Sequence, residues 1–224
     1  SAGTLVVTNR QDISAANIII KGAGKTATTI TGNATNFNNS SNGLKSSNLS
    51  SEYKAILGLH GENIKVMDLT VDAGSCGHES GVFVFKDAAD LKTVRVNSGT
   101  SYFENVQISG KKVKTNLCLG TSTSTSVVTA YNLTVNQPNR YVSSGNATEM
   151  SNNNCKISTV NSYLGGSVIG STDNLGEGYY KLEYMGVVAY TTIPYAIECY
   201  ESGTFDSMLN SSLVGSGVTV VEAM

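Results

Sequence analysis

Residues 64–71 read Ile-Lys-Val-Met-Asp-Leu-Thr-Val, with apolar residues at the first, third, sixth and eighth positions. The alternation within each half is that of a β-strand, whose side chains point to opposite faces in turn. The one extra residue between the halves shifts the inward-facing set once, as happens where a strand turns a corner. A helix would instead space its apolar residues three and four apart. The segment therefore predicts a bent strand with one buried face.

The same spacing recurs along the chain, so it predicts the structure of the whole fold and not of one strand alone. The copies start at Ile64, Ser101, Val128, Cys155, Leu182 and, more faintly, Leu209. From Ser101 onward, successive starts are 27 residues apart, and the longer first interval predicts an insertion. A repeat of this length is typical of solenoids, in which each unit buries its apolar face against its neighbours. We therefore expect an all-β fold built from coils of about 27 residues.

A short polar residue precedes the third apolar position in each of the first four copies. These corner residues are Asp68, Asn105, Asn132 and Thr159. Side chains of this type bond neighbouring backbone groups and tolerate bends. Stacked on one another, they are expected to form a ladder that supplies partners to the corner amides.

The start of the chain adds a resemblance to a known superfamily. Residues 17–25 read Asn-Ile-Ile-Ile-Lys-Gly-Ala-Gly-Lys and residues 28–33 read Thr-Thr-Ile-Thr-Gly-Asn, which predicts a strand, a glycine turn and a strand. Together with residues 63–72, this arrangement resembles the pectin-lyase-like right-handed parallel β-helix proteins. The resemblance implies a single-stranded right-handed parallel β-helix, or β-solenoid, and the handedness rests on it alone. It selects no individual member of the superfamily.

Composition and charge limit the possible domain organisation and the possible partners of the chain. Residues 1–224 are expected to form a single β-helix domain, because no linker-like segment interrupts the pattern; a fragment of a larger surface protein is the open alternative. Charged residues make up 14% of the chain and the net charge is −2, so no basic surface for nucleic acid is expected. Since no apolar run has transmembrane length, membrane insertion is not expected either. We expect a monomer.

The cysteines and histidines suggest neither disulfides nor a metal site. The four cysteines are Cys76, Cys118, Cys155 and Cys199. Cys118 and Cys199 share a repeat phase but would lie three coils apart, about 14 Å, which exceeds disulfide reach. Free thiols are therefore expected. No Cys/His spacing suggests zinc, and His60 and His78 are expected to be structural or exposed.

Enzymes of the resembled superfamily cut acidic polysaccharides, and their motifs can be sought in this chain. The segments typical of pectin methylesterases, polygalacturonases and pectate lyases are missing, so we do not expect an enzyme on motif grounds. A site assembled from successive coils would leave no linear signature, however. For that case the candidate catalytic residues are Asp68, Asp72, Lys86 and Arg95, and calcium would be the cofactor of a lyase. Ordinary turn and surface roles are the alternative for all four.

The C-terminal third is rich in tyrosine, which suggests a second kind of site. By the repeat phase Leu182 and Ala189 point inward. The outward set comprises Tyr179, Lys181, Glu183 and Tyr190. Aromatic rings flanked by charged groups are typical of a sugar-binding surface. The alternative is a packing cap that closes the last coil.

Two functions fit these observations. The first is a secreted or cell-surface bacterial module with a structural or glycan-binding, adhesin-like role, whose partner is a polysaccharide or surface glycan and which needs no cofactor. The second is a carbohydrate-active enzyme, a polysaccharide lyase or glycosidase, acting on an acidic polysaccharide.

Overall fold

The computed structural model describes residues 1–37, 54–77, 91–138, 146–166, 168–170, 172–184, 187–205 and 207–208. Strands dominate this part of the chain. Their bounds are β1 Gly3–Val7, β2 Gln11–Ile13, β3 Ile19–Lys21, β4 Thr28–Gly32, β5 Ala55–Leu59, β6 Ile64–Asp72, β7 Lys92–Val96, β8 Gly99–Ser109, β9 Thr115–Leu119, β10 Ser126–Val135, β11 Asn146–Met150, β12 Lys156–Val160, β13 Tyr163–Gly165, β14 Val168–Ile169, β15 Tyr179–Tyr184 and β16 Val187–Thr192. Helix α1 is Ala34–Phe37, a 3₁₀ helix is Thr172–Leu175, and helix α2 is Ile193–Glu201.

The strands form two sheets that share one core. Sheet A has ten strands in the order β1-β4-β6-β8-β10-β13-β16-β15, with β12 also paired to β10 and β3 to β6. Sheet B has six strands in the order β14-β11-β9-β7-β5-β2. From β5 to β11 the chain alternates between the sheets, and a single cluster of buried apolar residues contains side chains from both. Every residue of β5, β7 and β9 is buried, so these strands of sheet B are covered on both faces.

The first three copies of the apolar pattern stack position for position in sheet A. Ser101 of β8 pairs with Ile64 of β6 on one side and with Val128 of β10 on the other. All four apolar positions of β6 are at most 1% exposed. The sequence pattern therefore predicts the register of these strands correctly, including the longer first interval.

The expected corner is also confirmed in these three strands. Asp68, Asn105 and Asn132 have φ of 55°, 52° and 53°, in the left-handed region that Asn and Asp tolerate better than other side chains. Asn132 Nδ2 donates to Asn105 Oδ1 at 3.1 Å, and Asn105 Nδ2 donates to Asp68 Oδ1 at 3.0 Å. We call this row of hydrogen-bonded side chains the corner ladder.

The expected single-stranded right-handed parallel β-helix with coils of about 27 residues is wrong. The described residues form no closed solenoid; they form a mixed ten-stranded sheet and a smaller parallel sheet, with two α-helices added. Sheet A is parallel as far as β13, but β16 runs antiparallel to β13 and β15 runs antiparallel to β16. The pattern therefore predicts the strands correctly, but it predicts incorrectly how the chain connects them.

The fourth and fifth copies show where the repeat misleads. Ile157, not Cys155, lies opposite Val128, so the register moves by two residues. The expected corner residue Thr159 is consequently a buried core position, and Asn161 takes the positive φ of 47° instead. The sixth copy, at Leu209, lies outside the described residues.

The fifth copy fails because its spacing fits two structures. Leu182, Tyr184, Val187 and Ala189 alternate on either side of a two-residue gap. That gap suits a corner in one strand and equally a two-residue β-hairpin connection. In the structure Tyr184 pairs with Val187 and Leu182 with Ala189, which is the register of a hairpin.

Helix α2 lies over the half of sheet A that follows the corners. Tyr195 Oη is 3.4 Å from Thr134 Oγ1 on β10. Cys199 belongs to a second apolar cluster with Tyr163 of β13 and Ala189 of β16. The half of sheet A that precedes the corners is exposed on the same side, as the alternating burial of β10 and β12 shows. The corners thus divide the outer surface of sheet A into a covered half and an open half.

Val135→Asp tests the buried face of β10. Val135 is fully buried opposite Ile108 and Leu164, so an unpaired carboxylate there is expected to lower the free energy of unfolding by about 3 kcal/mol or more. Val127→Asp is the matched control, because Val127 lies on the same strand with 42% of its surface exposed; its expected cost is under about 0.5 kcal/mol. Urea unfolding measures both. Equal losses would show that β10 does not have one buried and one open face.

Substitutions at Asn105 test the corner ladder. Asn105→Gly removes both ladder hydrogen bonds but keeps a residue that tolerates positive φ, whereas Asn105→Ala removes the bonds and adds backbone strain. We expect Asn105→Ala to be less stable than Asn105→Gly by about 1 kcal/mol, the reverse of the usual order within a strand. Thermal unfolding of the two variants and the wild type measures this difference in stability. A more stable alanine variant would contradict the left-handed corner.

Candidate functional site

The exposed outer surface of sheet A before the corners is built by strand alternation and register. We call it the open face. It consists of the outward side chains of β3, β6, β8, β10 and β12, namely Ile19, Lys21, Lys65, Met67, Thr100, Tyr102, Glu104, Val127, Thr129, Tyr131, Lys156, Ser158 and Val160. Register places them in rows: Lys65 lies beside Tyr102, and Glu104 lies beside Tyr131. Neighbouring strands in such a sheet are about 4.8 Å apart, so the open face is an array of regularly spaced side chains.

Two tyrosines and one carboxylate stand at the centre of the open face. Tyr102 is hydrogen-bonded to Glu104. Partial burial raises the pKa of Tyr102 above its ordinary value, and the nearby Glu104 and Tyr131 raise it further. Tyr102 therefore remains a neutral phenol that donates to a carboxylate. Tyr131 is 47% exposed, which leaves its ring available for stacking.

The open face is locally positive in an acidic chain. Its charged side chains are Lys21, Lys65, Lys156 and Glu104. Lys21 Nζ is 3.5 Å from Asp68 Oδ2 at the corner. Within the described residues, Lys65 and Lys156 form no ion pair. The chain as a whole has a net charge of −2, so this surface suits an anionic partner better than the average of the chain does.

The tyrosine surface expected in the C-terminal third has a different orientation. Tyr179 and Tyr190 both pack against the main core, and burial raises the pKa of Tyr179 above its usual range. Lys181 lies directly opposite Tyr190 in the hairpin, and its Nζ is 2.9 Å from Glu183 Oε2. The two rings are therefore partly buried, whereas Lys181 and Glu183 are exposed. The packing favours a cap, and sugar binding by these four residues stays a prediction.

The three candidate catalytic residues that the structure describes, Asp68, Asp72 and Arg95, do not lie together in one site. Asp68 is held in the corner ladder, and Asp72 at the end of β6 accepts a 2.9 Å hydrogen bond from the Gly74 amide, which is a turn role. Arg95 lies in sheet B, only 2% exposed. Lys86 lies outside the described residues. A polymer on sheet A would therefore meet Asp68 or Asp72 without Arg95.

Arg95 belongs to a buried polar cluster that the sequence did not reveal. Its Nη2 donates to Gly120 O at 2.6 Å and to Ser151 Oγ at 3.2 Å. Burial lowers the pKa of the neighbouring Lys92 and raises the pKa of Cys118. The groups are too buried to meet a large ligand, so this cluster is structural.

A second polar cluster ties the short strand β2 to its neighbours. Asp12 Oδ1 is 2.9 Å from His60 Nε2, and Asn97 Nδ2 is 2.8 Å from the same nitrogen. Arg10 pairs with Asp12. His60 is therefore held between two polar neighbours, and His78 lies outside the described residues.

The third cluster lies beneath helix α2 and joins distant parts of the chain. Lys25 Nζ donates to Asn132 Oδ1 at 3.0 Å. Burial lowers the pKa of Lys25 to about 8, although Glu198 and Cys199 of α2 oppose the shift. Tyr195, also on α2, contacts Thr134 two residues beyond Asn132. The sequence marks Lys25 only as part of a glycine turn, because Asn132 is 107 residues away.

Neither a metal centre nor a disulfide emerges from the described residues. No group of three or more His, Cys, Asp or Glu side chains in this part of the chain is placed to hold a metal ion. The four cysteines are buried free thiols, and burial raises the pKa of Cys76 to about 12. Among the described helices none has the length and apolar character needed to cross a membrane.

Comparison with known proteins adds no relative. Neither protein-family models, nor curated proteins, nor solved structures give a match to this chain. The open face and the three polar clusters are therefore the features of the molecule that bear on its function.

Proposed function

We propose that this chain is a secreted or cell-surface module that binds an acidic polysaccharide through the open face. The observation that carries the proposal is the position of Tyr102 and Tyr131 on adjacent strands of an exposed sheet, with Lys65 beside Tyr102. Lys156 lies on the same face, on the next strand and opposite Val127. A tyrosine ring stacks on the apolar face of a sugar while its hydroxyl bonds the sugar's polar edge. The lysines supply the positive charge that a carboxylated or sulfated polymer requires.

The geometry of the open face fits an extended chain better than a small molecule. The face continues over β6, β8, β10 and β12, whose rows of side chains repeat at the strand spacing. Small-molecule sites are concave and bury most of their ligand. A repeating polymer can instead meet successive rows with the same kind of contact, so that several weak contacts add up.

Binding is favoured over catalysis by the number of carboxylates. Glycosidases generally use two carboxyl groups that flank the scissile bond. Among the described residues of the open face only Glu104 is acidic, and it is occupied by Tyr102. Asp68, at the corner, is held by Asn105 and Lys21. The enzymatic alternative would need groups that the open face does not supply.

Tyr131→Ala tests stacking on the open face. We expect about a tenfold loss of affinity for an acidic polysaccharide, the size typical of a central aromatic contact. Tyr200→Ala is the matched control, because Tyr200 is 75% exposed on α2 and away from the open face; its affinity should equal that of the wild type. Calorimetric titration with a panel of acidic and neutral polysaccharides measures both. A wild type that binds none of them, or equal binding by the two variants, would overturn the proposal.

The same titrations, followed for reducing ends and for the ultraviolet absorbance of unsaturated products, separate binding from cleavage. Product from the wild-type chain would establish the enzymatic alternative instead. Calcium and a chelator are compared in parallel, because a lyase would depend on the ion.

Removal of both unpaired lysines tests the charge of the open face. The double variant Lys65→Ala and Lys156→Ala should bind an acidic polymer less tightly at low salt, and the difference should shrink as salt rises, because exposed charges are screened over about 8 Å at physiological ionic strength. Lys181→Ala is the control, since Lys181 is an exposed lysine of the hairpin. If instead Lys181→Ala weakens binding and the double variant does not, the polymer contacts the hairpin.

A further inference from the structure

A lysine amine and an asparagine carboxamide meet at the end of the corner ladder. Lys25 Nζ is 3.0 Å from Asn132 Oδ1. Because a C=O bond is about 1.23 Å long, Nζ is at most about 4.2 Å from the carbonyl carbon of Asn132. Reacting atoms in a near-attack arrangement are about 3–3.5 Å apart. The amine therefore needs only a small displacement to contact that carbon.

Asn132 Oδ1 is bonded by Lys25 and not by a neighbour in the ladder. In the ladder Asn105 Oδ1 receives a hydrogen bond from Asn132 Nδ2 on the next strand. The next residue in register is Asn161, whose Oδ1 is buried without a hydrogen-bond partner. The oxygen of Asn132 is instead taken by Lys25. The ladder holds the nitrogen of this carboxamide on one side, and Lys25 approaches its oxygen on the other.

The surroundings of Lys25 favour its neutral, nucleophilic form. Burial against α2 lowers the pKa of Lys25 to about 8, so about a tenth of the amine is unprotonated at neutral pH, against well under a thousandth for an ordinary lysine. Glu198 is near enough to raise that pKa in opposition. Its side chain is exposed on α2 and influences the amine through its charge.

We propose that Lys25 and Asn132 join through an intramolecular isopeptide bond that the folded protein forms by itself. The neutral Nζ attacks Cγ of Asn132, and a C–N bond forms. The bond from Cγ to Nδ2 then breaks, and Nδ2 leaves as ammonia after it takes up the proton that Nζ gives up. One amine and one primary amide become one secondary amide and ammonia, and no oxidant, metal or cofactor takes part.

Such a bond would fasten the connection between β3 and β4 to β10. Lys25 follows β3, which pairs with β6, and Asn132 lies two strands further along, beyond β8. The cross-link would close a loop between residues 107 positions apart, which restricts the unfolded chain strongly. The four strands β3, β6, β8 and β10 would then be unable to separate along the sheet.

Intact-mass spectrometry of the wild-type chain is the decisive test, after incubation of the folded protein above pH 8, where most of the Lys25 amine is neutral. We expect a mass below that of the sequence by one ammonia, about 17 Da. Proteolytic mapping should give one branched peptide that contains both Lys25 and Asn132. A wild-type chain that keeps its full sequence mass under these conditions overturns the proposal.

Two variants exclude other sources of the same mass loss. Lys25→Arg keeps a positive donor but cannot form the amide, and Asn132→Ala removes the acceptor carbon; both should keep their full sequence mass and melt several degrees below the wild type. An asparagine can also lose ammonia by closing on its own backbone. Retention of the loss in Lys25→Arg would identify that reaction and overturn the proposal. These readouts are independent of polysaccharide binding, so either proposal can fail alone.

Discussion

Each long strand of sheet A turns at a residue with positive φ, and this turn decides which side chains face water. Asp68, Asn105 and Asn132 adopt the left-handed conformation at equivalent positions and bond to one another through their side chains. The turn inserts one residue into the alternation, so the outward positions before and after it belong to different sets. Because the turn lies at the equivalent position of each strand, the apolar positions on both sides of the corner remain aligned and bury one continuous core.

The two candidate sites lie on opposite sides of this row of corners. Before the corners the outward side chains form the open face, and after them helix α2 covers the sheet through Tyr195 and Cys199. A lysine stands at each end of the ladder: Lys21 at Asp68, and Lys25 at Asn132. The first is exposed and paired with a carboxylate, whereas the second is largely buried beside a neutral amide. That contrast in solvation and partner explains why burial lowers the pKa of Lys25, while Lys21 keeps an ordinary surface ion pair.

Much of sheet A could be predicted from the sequence, because the first three copies of the apolar pattern carry their own register. The prediction fails where the apolar pattern is compatible with two different structures. At the fourth copy, Cys155 and Ile157 both fit the first core position, and only the choice of Ile157 places an asparagine, Asn161, at the corner. At the fifth, the two-residue gap between Tyr184 and Val187 allows a hairpin as well as a corner. Hydrophobic spacing alone does not distinguish these cases.

The sites were harder to predict, for different reasons. The tyrosines of the C-terminal third are numerous, but the hairpin turns Tyr179 and Tyr190 onto the core. Tyr102 and Tyr131 were missed although the correct phase of the repeat places both outward; reading outward positions strand by strand would have found them. The contact of Lys25 with Asn132 has no such signal, since it depends on the stacking of three strands and on the docking of α2.

The open face exposes apolar side chains to water. Its polar neighbours and its paired backbone limit how other chains can associate with it. Val127, Tyr131 and Val160 are each about half exposed, yet Lys156 and Thr129 lie among them. The backbone groups beneath are already paired between β8, β10 and β12, so another strand cannot add to this face as it can to a sheet edge. Contact with a partner must therefore be made by side chains alone. A surface of this kind discriminates between partners by ring stacking and charge.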